Sequence, residues 1–345
     1  MSSSKSANAV LAKMRAKYGK RLSSKDYSNL LACKSVAEVV TYLKNNTYYD
    51  SVLRTVNERD VHRGRLEMIL RQKLFDDFYS LCRYMKGTGE YFAEYLIERD
   101  EIEQMIRFLT LLSSDSPDEY IFTMPSFFAR HTSVDLAALS RARDYDSFFA
   151  VLNGTRYART VERFRSKKGD RVSIPELETE LYRRCYDHLY DSIERFSSGA
   201  EKKALLSMFD SIMDIMNFVR VFRLKKFYKE SPDVIKRYLF DHGTLRQQTI
   251  DKMCAAESGS GIFDAVKGTK LGRSIEKMKF VYAGQIQEVG IYGITKRNIH
   301  FSTYPIVGML SYVFVMQQEY SNIVSIIEGV RYGVDPEKLD SIVIV

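Results

Sequence analysis

The side chains of this 345-residue chain with most capacity for chemistry do not fall into any complete catalytic or ligand-binding pattern. Its five histidines, His62, His131, His188, His242 and His300, contain no pair at metal-ligand spacing, so they give no basis for a zinc or di-iron helix site. Glu94, Glu98 and Glu101 recur at i, i+4 and i+7 and share one helix face. A di-iron bundle would need a Glu-x-x-His companion, and without one the three read as a solvated acidic face. Asp76-Asp77-Phe78-Tyr79-Ser80 opens like a magnesium-binding Asp-rich helix, but Ser80 occupies the place of the next acid, so this pair also reads as a solvated face. No Gly-x-x-x-x-Gly-Lys-Ser/Thr loop is present to cradle phosphate. Gly259-Ser260-Gly261 lacks the third glycine and the preceding strand of a dinucleotide fingerprint and reads as a linker. Serine and cysteine nucleophiles assemble from distant positions, and no spacing here raises one above the rest. The expectation is a non-catalytic chain with no catalytic, cofactor-binding or metal residue and no cofactor.

The elements that would carry these side chains are helical. Hydrophobic residues make up 45% of the chain and charged residues 28%, with only six prolines, which favours packed helices over a loop-rich or disordered chain. The formal charge of +8 permits an acidic partner, whether nucleic acid, anionic membrane or acidic protein, but is modest for this length. Cys33, Cys82, Cys185 and Cys254 form no Cys-x-x-Cys pair and sit in helical-looking stretches, as expected for reduced thiols. Met1-Ser2-Ser3-Ser4-Lys5-Ser6 is not followed by an apolar run of signal-peptide length, which argues against secretion. Phe301 to Gln318 is free of charge, yet it includes Ser302, Thr303, Pro305, Gly308 and Ser311; a buried core helix is expected there, not a membrane span.

One helix recurs. In the stretch from Met213 to Tyr228, Ile215, Phe218, Val219 and Phe222 make one apolar face with Arg220, Arg223 and Lys226 off it. Glu101-Ile102-Glu103-Gln104-Met105-Ile106, Asp214-Ile215-Met216-Asn217-Phe218-Val219 and Glu319-Tyr320-Ser321-Asn322-Ile323-Val324 share an order: an acid, two variable residues, an amide, then two apolar residues. The acids are 113 and 105 residues apart. A second marker, Thr47-Tyr48-Tyr49 and Thr155-Arg156-Tyr157, has its threonines 108 residues apart, with a fainter copy at Thr269-Lys270-Leu271 a further 114 on. Leu66 to Leu70 pairs with Leu177 to Leu181, and Asp76 and Tyr79 pair with Asp187 and Tyr190, all at an offset of 111. Similar spacings in one order predict a threefold internal repeat.

The predicted modules span 1–114, 115–230 and 231–345, with boundaries in the Ser113–Asp118 loop and at Ser231-Pro232-Asp233. Within them, helices are expected over Ala7 to Tyr18, from Ser35-Val36-Ala37-Glu38 to Asn45-Asn46, from Arg63 to Met85, and from Tyr91 to Leu112, the last two separated by Lys86-Gly87-Thr88-Gly89. The second module is expected to place helices after Thr132-Ser133-Val134-Asp135, over Asp144 to Val151, and from Ser173-Ile174-Pro175-Glu176 to Phe196, with Arg163 to Asp170 as a basic linker. In the third, Glu257 to Gly261 reads as a flexible loop, a long helix is expected near Glu276, and Asp335-Pro336-Glu337-Lys338 starts a last short helix. Ile286 to Thr303, where glycines mix with β-branched residues, gives no clear element.

Two basic groups, Lys13 to Arg21 and Arg220 to Lys229, fit contact with an acidic partner such as RNA, but they fit better the polar sides of amphipathic helices, with acids interleaved nearby. Gln104, Asn217 and Asn322 share one slot of the repeat and are expected to satisfy backbone or neighbouring polar groups at a recurring packing position.

Taken together, the Asp214-Ile215-Met216-Asn217 helix, the Thr47-Tyr48-Tyr49 and Thr155-Arg156-Tyr157 loops, and the ending from Glu319-Tyr320-Ser321-Asn322-Ile323 to Tyr332-Gly333 resemble the C subunit of the V/A-type rotary ATPases, equivalent to the vacuolar d subunit. The likeness covers essentially the whole chain and rests on the order and spacing of its markers. Two departures, Gln104 in place of the usual Asn and Leu271 in place of the loop Tyr, bear on how equivalent the modules are. The resemblance implies an all-α, funnel-shaped, non-catalytic central-stalk subunit whose three modules surround a cavity for the central shaft subunits of the ATPase head. It also implies that the opposite side sits on the membrane proteolipid ring, so that the chain is peripheral, on the cytoplasmic side, and serves ATP-linked proton or sodium transport. It implies no small-molecule substrate and disfavours nucleic acid; a helical-repeat adaptor binding RNA is the alternative. It carries over no individual partner-binding residue.

Overall fold

The computed structural model describes residues 2–57, 63–82, 88–165 and 172–345. All regular secondary structure among them is helical. His62, the predicted Lys86-Gly87 break with the end of the preceding helix at Met85, and the Ser166–Asp170 part of the predicted linker lie outside the described residues.

By packing, the chain divides into two units, Gly87–Ser197 and a larger one made of Met1–Lys86 with Ser198–Val345. The larger unit begins with α1 (Ser2–Tyr18), α2 (Ser24–Leu31), α3 (Val36–Asn46), α4 (Asp50–Leu53) and α5 (Arg63–Cys82). The smaller unit comprises α6 (Thr88–Ser113), α7 (Tyr120–Thr123), α8 (Leu136–Arg141), α9 (Tyr145–Val151), α10 (Ala158–Glu162) and α11 (Ile174–Phe196). The larger unit resumes with α12 (Gly199–Arg223), α13 (Pro232–Arg237), α14 (Gln247–Ala255), α15 (Gly259–Val266), α16 (Lys270–Ile275), α17 (Ile286–Phe301), α18 (Pro305–Arg331) and α19 (Pro336–Asp340).

In the larger unit α17 lies against both α18 and α12, and α1 and α5 pack on α18. Pro305 starts α18 where its missing N–H is no loss. Ile306 to Val313 is then buried without a break, which a helix tolerates only when neighbours cover it all round. That enclosure accounts for the uncharged run, and none of the described helices is long and apolar enough to cross a membrane. Two apolar clusters complete the unit. Ile323, Ile326 and Ile327 of α18 meet Leu30, Val40 and Leu43 in one. Phe218 and Phe222 of α12 meet Met253, Ile262 and Leu271 in the other. The predicted apolar face of the central helix, Ile215, Phe218, Val219 and Phe222, is wholly buried. In the smaller unit α6 and α11 form the main pair, and α8 to α10 build up beside them.

Local signals mostly hold where a cap defines them. Ser35 caps α3 by accepting from Glu38 N–H, although the Glu38 carboxylate reaches back to Lys34 N–H, one residue earlier than a regular box. Asp144 and Ser147 close a full capping box on α9. Four expectations need correction. Ser173 makes no side-chain cap hydrogen bond at the start of α11. The Glu257–Gly261 segment is no flexible loop or linker: Ser258 accepts from Gly261 N–H and starts α15. No long helix lies near Glu276, because α16 ends at Ile275; the long element is α17, and buried Gln285 accepts from Val281 N–H and fixes the non-helical stretch before it. Cys33 sits between α2 and α3, not in a helix.

At the entry to α16 Gly272 lies so near the preceding backbone that a Cβ there would stand 2.3 Å from the Val266 carbonyl oxygen. Backbone cannot swing aside as a side chain can, so Gly272→Ala is expected to destabilise the protein by about 1–3 kcal/mol. A urea midpoint unchanged from wild type would contradict this packing.

Candidate functional site

Each of α6, α12 and α18 carries a buried acid and a buried amide. On α6, Glu101 accepts hydrogen bonds from Ser133 N–H and from the hydroxyls of Ser133, Thr132 and Tyr157. On α12, Asp214 accepts from Thr244 N–H at 2.9 Å, Leu245 N–H at 3.1 Å and the Thr244 hydroxyl at 2.5 Å. On α18, Glu319 accepts from Leu22 N–H at 2.7 Å and from the Tyr48 and Tyr49 hydroxyls at 2.7 and 2.9 Å. Glu101, Asp214 and Glu319 are 1, 3 and 4% exposed. Desolvated carboxylates of this kind persist only when hydrogen bonds replace the lost water.

One turn further along each helix the amide does the same work on another segment. Asn217 grips residue Phe240 at both ends, donating to its carbonyl and accepting from its N–H, each at 2.9 Å. Asn322 grips Ile344 in the same way, at 2.7 and 3.2 Å. Gln104 differs: its carbonyl accepts from the Tyr120 hydroxyl at 3.2 Å while its Nε2 finds no partner. The longer side chain therefore performs half of the task, a structural counterpart of its departure from the repeat.

The Thr-x-Tyr loops gain a clear role. Thr47 and Thr155 donate to the carbonyls of Leu43 and Leu152 and accept from the N–H of Tyr49 and Tyr157. That local turn delivers each tyrosine hydroxyl to a buried carboxylate. At the third position Thr269 donates to the Val266 carbonyl but accepts from Gly272 N–H, three residues on, as the cap of α16; Leu271 is buried among apolar neighbours and Asp214 draws on Thr244 instead. Gly243 makes room for that exchange: its φ is +125°, and a Cβ would stand 2.4 Å from Asp214 Oδ1.

The partners that sequence reasoning missed are backbone donors. Leu22, Ser133 and Thr244 are spaced evenly, 111 residues apart, and each donates its N–H to a buried acid. Side-chain patterns cannot reveal them, because Leu, Ser and Thr share only the peptide group. The even spacing was the one signal that could have found them.

The acidic faces predicted to be solvated are so only in part: Glu94 and Asp76 are exposed, whereas Glu98 and Glu101 are buried and Asp77 is half-buried. Glu98 is 3% exposed, flanked by Arg156 at 3.4 Å and His188 Nδ1 at 3.2 Å, and Glu94 pairs with Arg156 at 2.5 Å. The hydrogen bond that His188 Nδ1–H donates to Glu98 raises the His188 pKa against the opposing effect of burial. Of the Asp76-Asp77 pair, Asp76 is exposed, while Asp77 is held between Lys17 at 2.5 Å and Lys73 at 2.9 Å. Sequence periodicity placed each residue on a helix face, and tertiary packing decided which face met solvent.

Other candidate chemistry is absorbed in structure. Among the described residues no three His, Cys, Asp or Glu side chains converge as a metal site. The thiols are free, and burial pushes Cys82 up to about 12 and raises Cys185 well above its ordinary value, which suppresses the reactive thiolate. Of the basic groups, Arg15 donates to the carbonyls of Ile299 and Ser302, Lys17 pairs with Asp77, and Arg220 donates to Tyr238 and stacks on Phe240. These cations bind other parts of the fold. The three anchors can hold segments in place, with every hydroxyl at them spent on a buried carboxylate.

Burial raises the Glu319 pKa above its ordinary 4.5, outweighing the hydrogen bonds it accepts. A raised folded-state value means the group contributes most stability below about pH 4.5, and that contribution is lost as pH rises through the raised value. Against Glu319→Gln, wild type is therefore expected to lose relative stability from pH 4.5 upward; parallel urea-stability curves for the two proteins would contradict it. Asn217→Leu removes two hydrogen bonds to the buried backbone of Phe240, at roughly 1–3 kcal/mol each, whereas Gln104→Met removes only the one from the Tyr120 hydroxyl. The first must cost more in unfolding free energy than the second, and equal costs would overturn the assignment of the amide grip.

Comparison with known proteins agrees with this non-catalytic reading. A family model described as ATP synthase (C/AC39) subunit matches residues 10–342. The A-type ATP synthase C subunit of Pyrococcus abyssi is 24% identical over 342 residues, covering 96% of this chain and 88% of the relative. Those of Desulfurococcus sp. and Thermococcus onnurineus are each 21% identical, over 337 and 344 residues, covering 95 and 96% of this chain and 88% of each relative. With nearly its whole length matched, this chain belongs to the ATP synthase (C/AC39) subunit family, as a non-catalytic member of a V/A-type ATPase.

Proposed function

We propose that the chain is the central-stalk coupler of its ATPase, joining the rotating shaft subunits of the head to the membrane proteolipid ring. The observation that carries this reading is the family match along residues 10–342. The three anchors support it physically. A coupler must pass torque without slipping, and each anchor ties a long helix to another segment by hydrogen bonds to a buried acid, bonds worth about 1.5–3 kcal/mol each when the acceptor is charged. Deformation at such a point strands a desolvated carboxylate, so the resistance is steep. The reading carries with it a funnel formed by three modules, 1–114, 115–230 and 231–345, with a cavity for the shaft. It also carries peripheral attachment on the cytoplasmic side, through the ring, since none of the described helices is long and apolar enough to cross the bilayer itself. In this role the chain carries no nucleotide, and its partners perform ATP turnover and proton or sodium translocation.

Tagged protein purified from gently solubilised native membranes is expected to bring down the ATPase head, shaft and proteolipid subunits together. Recovery of the chain alone, from a preparation in which the ATPase is intact, would contradict the coupling role.

A further inference from the structure

The larger unit holds an open cleft of about 740 Å³ between α17, the stretch preceding it, and the C-terminal segment. Four cationic side chains, Lys277, Lys279, Lys296 and Arg297, line it with no Asp or Glu side chain, against the single terminal carboxylate of Val345. None of the four makes an ion pair with a described residue. Between them lies an apolar floor that includes Met278, Phe280, Tyr292 and Ile294. Like charges gathered on a low-dielectric floor repel one another, and an anionic occupant is what relieves them. Lys296 stands over the Tyr292 ring at 5.1 Å, and desolvation, with Arg21 nearby, lowers its pKa.

Two further features point to a polypeptide. Gln285, 3% exposed, accepts from Val281 N–H at 2.7 Å and donates to the Ser341 carbonyl at 3.0 Å, so the cleft walls are fixed in advance. Gly293 lies inside α17 and lines the cleft, although a Cβ there would meet nothing within 4 Å. Glycine is disfavoured inside a helix, and no packing within the chain requires one here. A small residue at an open, cleft-lining position lets another backbone lie close to the helix. The flexible, exposed lysines of the rim suit several separate carboxylates better than the fixed geometry of one phosphate.

We infer that this cleft receives an acidic segment of another protein, its apolar side chains on the floor, its backbone passing Gly293 and its carboxylates on Lys277, Lys279, Lys296 and Arg297. The inference does not depend on the coupling role, because it concerns the cleft of the isolated full-length chain.

The probe is a fluorescein-labelled peptide of alternating Glu and Leu blocks, titrated into the full chain and followed by anisotropy, with tripolyphosphate and phosphatidylglycerol vesicles as competing ligands. Saturable peptide binding is expected, weakened about tenfold or more by K277E/K279E/R297E. The same charge change away from the cleft, K225E/K226E/K229E, is expected to leave it intact. Gly293→Leu is expected to abolish binding without lowering the melting temperature, since it fills only the cleft. Failure to bind the peptide would overturn the inference, as would equal effects of the two triple variants. Displacement by tripolyphosphate or by vesicles at far lower concentration than by unlabelled peptide would overturn it too, reassigning the cleft to a small phosphate anion or to a lipid surface.

Discussion

A carboxylate buried on a long helix is the constraint on which this structure depends. Glu101, Asp214 and Glu319 each sit where water cannot reach them, and the cost of that desolvation has to be met by donors supplied from elsewhere in the chain. Backbone N–H groups of Ser133, Thr244 and Leu22 meet it, joined by hydroxyls from Thr244, Tyr157, Tyr48 and Tyr49. Each helix thereby fixes the position of a segment far from it in sequence. For α18 the segment is the N-terminal one, nearly 300 residues earlier, so the last long helix is locked to the first part of the chain. The adjacent amides extend the same logic, since a single Asn that satisfies both ends of one peptide residue leaves that residue no other register.

This arrangement suits the mechanical task proposed for the subunit. A hydrophobic core alone resists separation but tolerates sliding, because apolar contacts are non-directional. Buried charge-assisted hydrogen bonds are directional and are lost outright if the segments shift by an ångström or two. The membership of this chain in the ATP synthase (C/AC39) subunit family and the proposed coupling role give that directionality a purpose. The basic cleft beside α17 is different in kind: its cations lack the internal partners that engage Arg15, Lys17 and Arg220, which is why it reads as a surface for something outside the chain.

Much of the scaffold was legible in the sequence, and the reasons are local. Apolar spacing in Ile215, Phe218, Val219 and Phe222 located the buried face of α12, and Asp144 and Ser147 marked the start of α9 through bonds made within one turn. The acid–amide order of Glu101 and Gln104, Asp214 and Asn217, and Glu319 and Asn322 singled out the anchors. What they hold was hidden, because half the partners are peptide groups without a side-chain signature. Glu98 shows the other limit. Its helical spacing was plain, but only the approach of Arg156 from a loop and His188 from α11 decides that it is buried and not solvated. The stretch near Glu276 failed for a similar reason, since Gln285 holds Val281 from outside the predicted helix.

Amide hydrogen exchange at the anchor donors tests the central claim most directly. If the buried acids and amides hold these segments, the N–H groups of Leu22, Ser133, Thr244, Phe240 and Ile344 should open only with global unfolding, and their protection should fall in step with overall stability as urea is added. Exchange at these positions as fast as in an unattached loop, with α6, α12 and α18 still protected, would mean that the helices stand without gripping anything, and the account would be wrong.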